Sequence, residues 1–312
     1  MSREQGVGGA ATDRGGSHGG GFLNQIDISD DSLKWIFLIP SVALLAFLSL
    51  YPFLQGAWMS FHKWPFGAPE RFWVGSQQYV AVLGEDRFQN ALWNTVVFTG
   101  GGVAFQLALG TALALYLRSL TEKWRPIFRT IFILPMVMTP IATGLMWRIM
   151  LDGRVGVINY MIEALGYAAP QWTSSGTLAM ATILAIDTWQ WTPLVVLIVF
   201  AGLLSVPQHL YEAARVDGAP RWAIFLHVTL PQIKYFIAVA AVFRLMESFR
   251  TFDYIWLVTE GGPGTSTEIL NIYLYRLAFV FLDGGKAATV GLILLVITIG
   301  VTMTMFRAVG VE

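Results

Sequence analysis

Six long apolar stretches dominate the pattern of hydrophobic and polar positions along the chain. Each is close to the roughly 20 residues that an α-helix needs to cross a bilayer. Prolines lie inside or beside several of them, which membrane helices tolerate because neighbouring helices satisfy the freed carbonyl groups. The pattern therefore predicts an all-α integral membrane protein of six transmembrane helices, some of them kinked. The predicted spans are Leu33–Phe61, Leu92–Leu117, Phe128–Met150, Thr177–Leu204, Phe236–Val258 and Ala287–Phe306.

The segments outside these spans are more polar. Residues 1–31 are rich in glycine and serine and lack the apolar core of a signal peptide, so they are predicted to form a disordered tail. Residues 32–312 then form one transmembrane domain. Lys and Arg are more frequent on the side of the membrane that holds the N-terminus, and their clearest cluster lies at residues 118–129. The positive-inside rule therefore predicts that the tail and both termini are cytoplasmic.

The composition fits a membrane location and excludes several other classes of protein. Hydrophobic residues make up 55% of the chain and charged residues 13%, against about 25% charged residues in soluble domains. The net charge is zero, which leaves no basic excess for a nucleic-acid partner. The chain has no cysteine, and its four histidines show no metal-ligand spacing, so no metal site is predicted.

One polar segment, residues 205–235, has the start and stop signals of a helical hairpin. Ser205 is predicted to cap the first helix, and Gly218 to follow that helix in a left-handed conformation. Pro220 is predicted to begin a second short helix, which Pro231 ends. Such a hairpin suits either of two roles. It is an interfacial element without a partner, or it is a docking element for a soluble subunit.

The predicted fifth span carries four charged residues at intervals of three, Arg244, Glu247, Arg250 and Asp253. At about 100° per residue they follow one side of a helix, and charges that faced lipid would cost several kcal/mol each. Their alternating signs allow Arg244 to pair with Glu247, and Arg250 with Asp253. The stripe is therefore either a self-paired network that fixes helix packing or a polar wall of a translocation path. In the second case Tyr254 adds an aromatic face for the solute.

A second set of polar residues lies in the predicted fourth span, where Asp187 precedes Trp189 and Gln190. An ionisable side chain within a membrane span is a candidate functional residue. A salt bridge from Asp187 to an arginine of the fifth span would explain its presence equally well. Asp187, Trp189 and Gln190 therefore join the candidates for the translocation path, with both interpretations open.

The 205–235 segment also carries a family motif. Glu212-Ala213-Ala214, three residues, Gly218, nine residues and then Val228-Thr229-Leu230-Pro231 resembles the E-A-A-x3-G-x9-I-x-L-P loop of ABC-importer permeases. Val228 in place of isoleucine is the one departure. Further segments are similar to that family over about residues 33–308. They are Phe72–Tyr79, Asn94-Thr95, Leu134-Pro135, Trp191–Pro193 and Thr259–Pro263.

The resemblance implies a type I ABC-importer permease of the carbohydrate family, of the maltose "F" or glycerol-phosphate "A" subunit type, in the plasma (inner) membrane of a prokaryote. Beside the bilayer it implies three kinds of partner: a second, homologous permease that completes a heterodimer, two ATPase subunits that bind ATP and Mg, and an extracytoplasmic solute-binding protein. This chain would bind no cofactor and contribute no catalytic residue. The implied solute is a disaccharide, an oligosaccharide, a polyol or a glycerol phosphoester. The residues implied to couple the chain to the ATPase are Glu212, Ala213, Ala214, Asp217, Gly218, Leu230 and Pro231.

Two other classes of membrane protein compete with this interpretation. An ion-coupled secondary transporter could relay protons through Asp187, Glu247 and Asp253, but such carriers are commonly built from internal repeats, and the sequence shows none. A membrane-embedded enzyme lacks a catalytic motif such as H-E-x-x-H or G-x-S-x-G. The sequence also lacks a P-loop, so ATP hydrolysis would require a separate polypeptide.

Overall fold

The computed structural model describes residues 30–65, 67 and 70–309, so most of the predicted tail lies outside the described residues. Residues up to Leu54 form one compact unit and residues from Gln55 a second. The first unit contains most of helix α1, Asp30–Met59. Apolar side chains along α1, such as Phe37 and Leu45, are largely exposed. Such exposure suits a helix in lipid, where apolar side chains need no protein partner.

The second unit holds the remaining elements. Its long helices are α3 (Asp86–Ser119), α7 (Gly176–Ser205), α9 (Arg221–Arg250) and α12 (Gly284–Val309). A bent pair is formed by α4 (Arg125–Val137) and α5 (Pro140–Met150). The shorter helices are α2 (Gln77–Leu83), α6 (Val157–Ala164), α8 (Gln208–Val216), α10 (Asp253–Thr259) and α11 (Leu270–Val280). Strands β1 (His62–Lys63) and β2 (Phe72–Trp73) pair antiparallel, with His62 opposite Trp73. Single π-helical turns interrupt α3 at Val97–Gly101 and α9 at Phe225–Thr229, and another forms the end of α11 at Arg276–Val280.

The predicted all-α membrane fold is confirmed. Within the part of the chain that is described, five helices are long and apolar enough to cross a membrane, and the bent pair makes a sixth if it counts as one span. The first, second, fourth and sixth predicted spans correspond to α1, α3, α7 and α12. Sequence apolarity located these four helices because each is a nearly continuous apolar run.

The third predicted span is wrong as a single helix, because α4 and α5 meet at an angle of 95°. Proline disfavours helical geometry in the residue before it, and Thr139, which precedes Pro140, is extended and caps α5 by accepting a hydrogen bond from the Ala142 amide at 3.3 Å. The break leaves the carbonyl of Met138 outside the helical ladder. Gln190 of α7 donates to that carbonyl from Nε2 at 3.1 Å. A side chain from another helix therefore stabilises the bend.

The fifth predicted span is wrong at both ends. Its helix begins at Arg221 rather than Phe236, and Pro231 lies within it instead of ending a short hairpin helix. The π-helical turn at Phe225–Thr229 directly precedes this proline and accommodates its missing N–H group. At the other end α9 stops at Arg250 and Asp253 begins α10. The predicted second helix of the 205–235 hairpin is thus the start of a membrane-length helix.

Close packing between the long helices depends on glycine. A Cβ atom at Gly110 of α3 would lie 2.6 Å from Cγ1 of Val195 in α7, and one at Gly202 of α7 would lie 2.5 Å from Cγ of Phe236 in α9. Small residues allow membrane helices to approach closely enough for dense van der Waals contact. These contacts bring α3, α7 and α9 together around the polar groups described below.

Candidate functional site

A network of buried polar side chains lies where four helices meet; we call Gln106, Asp187, Arg244 and Tyr254 the central network. Asp187 of α7 and Arg244 of α9 are fully buried, and Arg244 Nη2 lies 3.1 Å from Oδ2 of the carboxylate. Gln106 of α3 donates to Asp187 at 2.6 Å and accepts from Arg244 Nε at 2.6 Å. Tyr254 of α10 donates its hydroxyl to Asp187 at 2.6 Å. The network therefore links α3, α7, α9 and α10.

The central network shows how Asp187 and Arg244 are paired. The predicted pairs Arg244–Glu247 and Arg250–Asp253 are wrong, because Arg244 binds Asp187 and Arg250 contacts Glu247. The alternative of a salt bridge between the fourth and fifth spans is confirmed. The guanidinium also lies 5.0 Å from the ring centroid of Trp191. A buried ion pair needs such additional contacts to offset the loss of hydration. Asp187 and Arg244 therefore pair with each other in the interior, and Arg244 also packs against Trp191.

Beside this network lies a polar cavity of about 210 Å³. Four residues of the predicted path border it: Glu247, Arg250, Asp253 and Tyr254. The remaining lining residues are Pro140, Trp191, Thr251 and Phe252. The cavity forms at the break between α9 and α10, and Asn271 caps the broken end by donating to the carbonyls of Phe249 at 2.8 Å and Thr251 at 2.9 Å. The helix break that the sequence did not predict is thus what opens the cavity.

Charge in the polar cavity is unevenly paired. Arg250 Nη1 contacts Glu247 Oε1 at 3.4 Å, and the Arg250 side chain is 78% exposed. Asp253 is half-buried on the first turn of α10. A carboxylate there, beside an arginine and the aromatic rings of Trp191 and Tyr254, offers hydrogen-bond acceptors, donors and an apolar face in one place.

Two predicted path residues lie outside the polar cavity. The ring of Trp189 packs edge-on against Trp147, with centroids 5.5 Å apart, and it lines a separate, largely apolar cavity of about 270 Å³. Gln190 is buried and holds the Met138 carbonyl at the α4–α5 bend. Sequence reasoning did not single out Gln106, although a glutamine flanked by apolar residues within a span is the available signal.

In the 205–235 segment the predicted turn at Gly218 is confirmed, and the predicted helix cap at Ser205 is wrong. Gly218 adopts a φ of +71°, as the pattern predicted, and the Ala219 amide donates to the Ala214 carbonyl at 3.0 Å to close α8. Ser205, by contrast, does not cap α8. It belongs to the end of α7, where its hydroxyl donates to the Gly202 carbonyl at 2.8 Å, and Pro207 precedes α8.

The family-motif residues lie mostly on the surface. Glu212, Ala213, Asp217 and Gly218 are exposed, and Ala214 is half-buried. In α9, Pro231 is exposed and Leu230 is half-buried. Exposed apolar side chains lie in the same segment, namely Val216, Trp222 and Leu226. This combination of polar and apolar side chains is suited to contact with another protein.

Tyr211 anchors this segment. Its side chain is 9% exposed and belongs to an apolar cluster that includes Leu117 of α3 and Leu203 of α7. Arg118, at the end of α3, donates a hydrogen bond to the tyrosine hydroxyl, and its Cζ lies 4.1 Å from the ring centroid. The segment is therefore fixed on one side and exposed on the other.

A second ionic cluster, which we call the Glu268 clamp, consists of Glu268, Arg87 and Arg276. The Glu268 carboxylate is fully buried, and Arg87 at the start of α3 donates to both of its oxygens at 2.7 Å. Arg276 of α11 donates to the same carboxylate at 2.6 Å. The sequence did not predict this clamp, because Arg87 lies 181 residues from Glu268 and all three residues lie outside the predicted spans.

Loss of the clamp carboxylate is expected to destabilise the protein. Glu268→Ala removes the shared partner of two arginines, which should lower the stability by about 3 kcal/mol. The partly exposed Glu85, which binds Lys286 and Tyr273, provides the matched control: Glu85→Gln should cost about 1 kcal/mol or less. The thermal unfolding midpoint of the purified protein checks both values. Equal midpoints for the two variants would contradict the assignment of Glu268 as a clamp.

The pKa of Glu85 reflects this environment. Burial raises the pKa of the carboxyl, but the hydrogen bonds from Lys286 and Tyr273 and the Lys286 charge outweigh burial and lower the pKa below its ordinary value. Because the pKa of Glu85 is lower in the folded state, the ionised carboxylate stabilises the fold at pH values above its ordinary pKa. This stabilisation is lost as the pH falls through the lowered pKa.

Comparisons with known proteins agree with the geometry. The family described as "Binding-protein-dependent transport system inner membrane component" matches residues 106–309. The sulfoquinovosyl glycerol transport system permease protein SmoG of Agrobacterium fabrum is 32% identical over 286 residues, covering 91% of this chain and 92% of that protein. The trehalose/maltose transport system permease protein MalF of Thermococcus litoralis is 29% identical over 287 residues, covering 91% of this chain and 96% of that protein.

Solved structures show the same fold. A chain of a bacterial ABC transporter involved in the import of the acidic polysaccharide alginate superposes with a TM-score of 0.77 and 25% identity, covering 91% of this chain and 96% of that chain. The resemblance to ABC-importer permeases that the 205–235 segment carries is thereby confirmed. The function is that of a transport component and not of an enzyme. The chain therefore belongs to the family of binding-protein-dependent transport system inner membrane components, as a permease of the ABC transporter type.

Proposed function

We propose that the chain is the transmembrane permease subunit of an ATP-driven importer for a sugar or sugar-like solute. The polar cavity at the α9–α10 break is the observation that carries this proposal. SmoG, MalF and the alginate transporter act on carbohydrates or carbohydrate conjugates by their names. The solute is a disaccharide, an oligosaccharide, a polyol or a glycerol phosphoester.

The chemistry of the cavity suits polyhydroxylated solutes. Carboxylates such as Asp253 and Glu247 accept hydrogen bonds from hydroxyl groups, and Arg250 donates to hydroxyl or ring oxygens. Hydrogen bonds that involve a charged partner are stronger than neutral ones. The ring of Trp191 adds an apolar surface against which a sugar face packs. The residues retained for the translocation path are Glu247, Arg250, Asp253 and Tyr254. The other candidates hold the surrounding helices in place, namely Asp187, Trp189, Gln190 and Arg244.

The energy comes from outside the chain. In this proposal the 205–235 segment is the coupling loop, which docks on ATPase subunits that bind ATP and Mg. Its exposed Glu212 and Trp222 face the ATPase, and Gly218 shapes the turn. A second, homologous permease completes a heterodimer, and an extracytoplasmic binding protein delivers the solute. This arrangement requires both termini to be cytoplasmic in the inner membrane of a prokaryote.

An ion-coupled mechanism has no comparable support. Of the three carboxylates considered for a proton relay, Asp187 is fully buried and bound by Arg244, Gln106 and Tyr254, while Glu247 and Asp253 border the polar cavity. Asp187 is thus engaged in a salt bridge inside the protein.

Transport assays on cavity variants test the proposal. Asp253→Asn and Arg250→Ala should each reduce solute uptake about tenfold, because each removes a charged hydrogen-bond partner worth about 1.5 kcal/mol or more. Uptake is measured in vesicles that contain the complete transporter with its binding protein. Glu163→Gln, at an exposed carboxylate of α6 outside the cavity, is the matched control and should transport normally. Normal uptake by both cavity variants would refute the assigned path.

A further inference from the structure

We infer that Arg118 and Tyr211 are positioning residues that fasten the coupling loop to α3, so that movement of the loop displaces α3 and with it the central network. The inference rests on the proposed function of the 205–235 segment as the coupling loop. It assigns a route, additional to the covalent connections of the loop, by which force from an ATPase reaches the translocation path.

The first step is the attachment of α8 to α3. Tyr211 directly precedes Glu212, yet its side chain is buried while those of Glu212 and Ala213 are exposed. Its hydroxyl and its ring both contact the guanidinium of Arg118. A force on the exposed surface of α8 therefore acts on the end of α3 through a hydrogen bond and a cation–π contact together.

The second step is the rigidity of the attachment point. Arg125, at the start of α4, donates from Nη2 to the carbonyl oxygens of Leu120 at 3.0 Å and Arg118 at 3.4 Å. Leu117 is fully buried in the same apolar cluster as Tyr211. The last turn of α3 is thus held on both sides and moves as part of α3 instead of fraying.

The third step runs along α3 itself. Gln106 lies twelve residues before Arg118, which is about 18 Å along a helix at a rise of about 1.5 Å per residue. The stretch Gly102–Ser119 that contains both residues is uninterrupted α-helix. Gln106 hydrogen-bonds both Asp187 and Arg244. A displacement at Arg118 is therefore transmitted to the central network through a continuous α-helix.

Two helices of the central network are joined to the coupling loop by the chain itself: α7 ends at Ser205, and α9 begins at Arg221. The connection through α9 includes the π-helical turn Phe225–Thr229, which lies within the coupling loop. In α3 the π-helical turn Val97–Gly101 lies beyond Gln106, between the central network and Arg87 of the Glu268 clamp. Irregular turns of this kind are common sites of adjustment in helices. α3, by contrast, has no covalent connection to the coupling loop, so its movement with the loop depends on the contact between Tyr211 and Arg118.

Distance measurements on the complete transporter test the inference. The chain contains no cysteine, so Phe105→Cys on α3 and Val296→Cys on α12, both at exposed positions, allow spin labels to be attached at two defined sites in it. MgATP is the probe, and the inter-label distance is measured before and after its addition. We expect the distance to change in the parent, and the change to fall by more than half in Arg118→Gln. Tyr211→Phe, which keeps the ring but loses the hydroxyl, should show an intermediate change, and Arg118→Lys, which keeps the charge, should recover part of it.

The controls separate this inference from the proposed function. Arg129→Gln, at an exposed arginine of α4, should respond like the parent. A full distance change in Arg118→Gln, or no change in the parent, would overturn the route through α3. If Arg118→Gln does not assemble, Tyr211→Phe decides, and a full change in that variant overturns the inference. Stimulated ATP hydrolysis in Glu212→Ala is measured in parallel: its loss upholds the coupling loop whatever α3 does, and its persistence refutes the proposed docking of this segment on the ATPase.

Discussion

Replacing Asp187 with alanine is expected to lower the stability of the assembled transporter by about 3–5 kcal/mol, because it leaves the fully buried Arg244 without a counter-charge. Gln106 and Tyr254 lose their shared acceptor in the same variant. The expected result is a strongly reduced yield of complex and a lower thermal unfolding midpoint. Both are measured on protein purified in detergent.

The matched comparison is a double variant. Asp187→Leu combined with Arg244→Met replaces the whole ion pair with apolar side chains, and replacement of a buried pair is often neutral or stabilising. We therefore expect it to recover much of the stability that Asp187→Ala loses. Glu247→Ala, which removes an exposed partner of Arg250, should cost about 1 kcal/mol or less. A stable Asp187→Ala protein that fails only in uptake would show that Asp187 acts on the solute instead.

Gly218→Pro is expected to abolish the ATP hydrolysis that the binding protein stimulates, while the chain still inserts into the membrane. Gly218 has a φ of +71°, whereas proline requires about −65°. Proline also removes the amide that donates to the Arg215 carbonyl at 3.1 Å. Because the turn joins α8 to α9, the substitution changes the direction of the whole coupling loop. The rate of ATP hydrolysis by the reconstituted transporter is the measurement.

Two further variants separate shape from contact. Glu212→Ala changes an exposed side chain and should alter stability by about 0.5 kcal/mol or less, yet it should also remove stimulation if Glu212 contacts the ATPase. Gly166→Pro is the matched control, since Gly166 has a φ of +85° and open space around it but lies far from the coupling loop in sequence. Full stimulation in Gly218→Pro would refute the role of the loop, and lost stimulation in Gly166→Pro would point to a general folding defect.

The sequence allowed much of the fold to be predicted wherever a local pattern is sufficient. The helices α1, α3, α7 and α12 follow from apolar runs, because a bilayer-spanning helix must satisfy its own backbone and face lipid with apolar side chains. The turn at Gly218 follows from glycine's access to positive φ. The family follows from the spacing of Glu212, Gly218 and Pro231 within one loop.

Prediction failed where a distant side chain decides the local structure. At Pro140 the predicted span is broken into two helices that meet at 95°, whereas Pro231 lies in a helix that continues for 19 residues to Arg250. The difference comes from what surrounds each proline. Near Pro140, Gln190 donates a hydrogen bond to the Met138 carbonyl and stabilises the bend. Near Pro231, a π-helical turn accommodates the proline so that the helix continues. The regular three-residue spacing of the fifth-span charges likewise suggested pairs within one helix, whereas Arg244 is paired across to α7.

The sequence by itself determined that this chain is a multi-helix membrane protein with an ABC-permease loop, because hydropathy and motif spacing are properties of short segments. Only the tertiary structure decided which polar residues are structural and which border a cavity. Asp187 and Arg244 form an ion pair in the interior, and Glu247, Arg250 and Asp253 gather at the break between α9 and α10. The residue with which a buried charge pairs depends on which helices pack together. That packing arises from contacts between residues far apart in the chain, such as Gly110 and Val195.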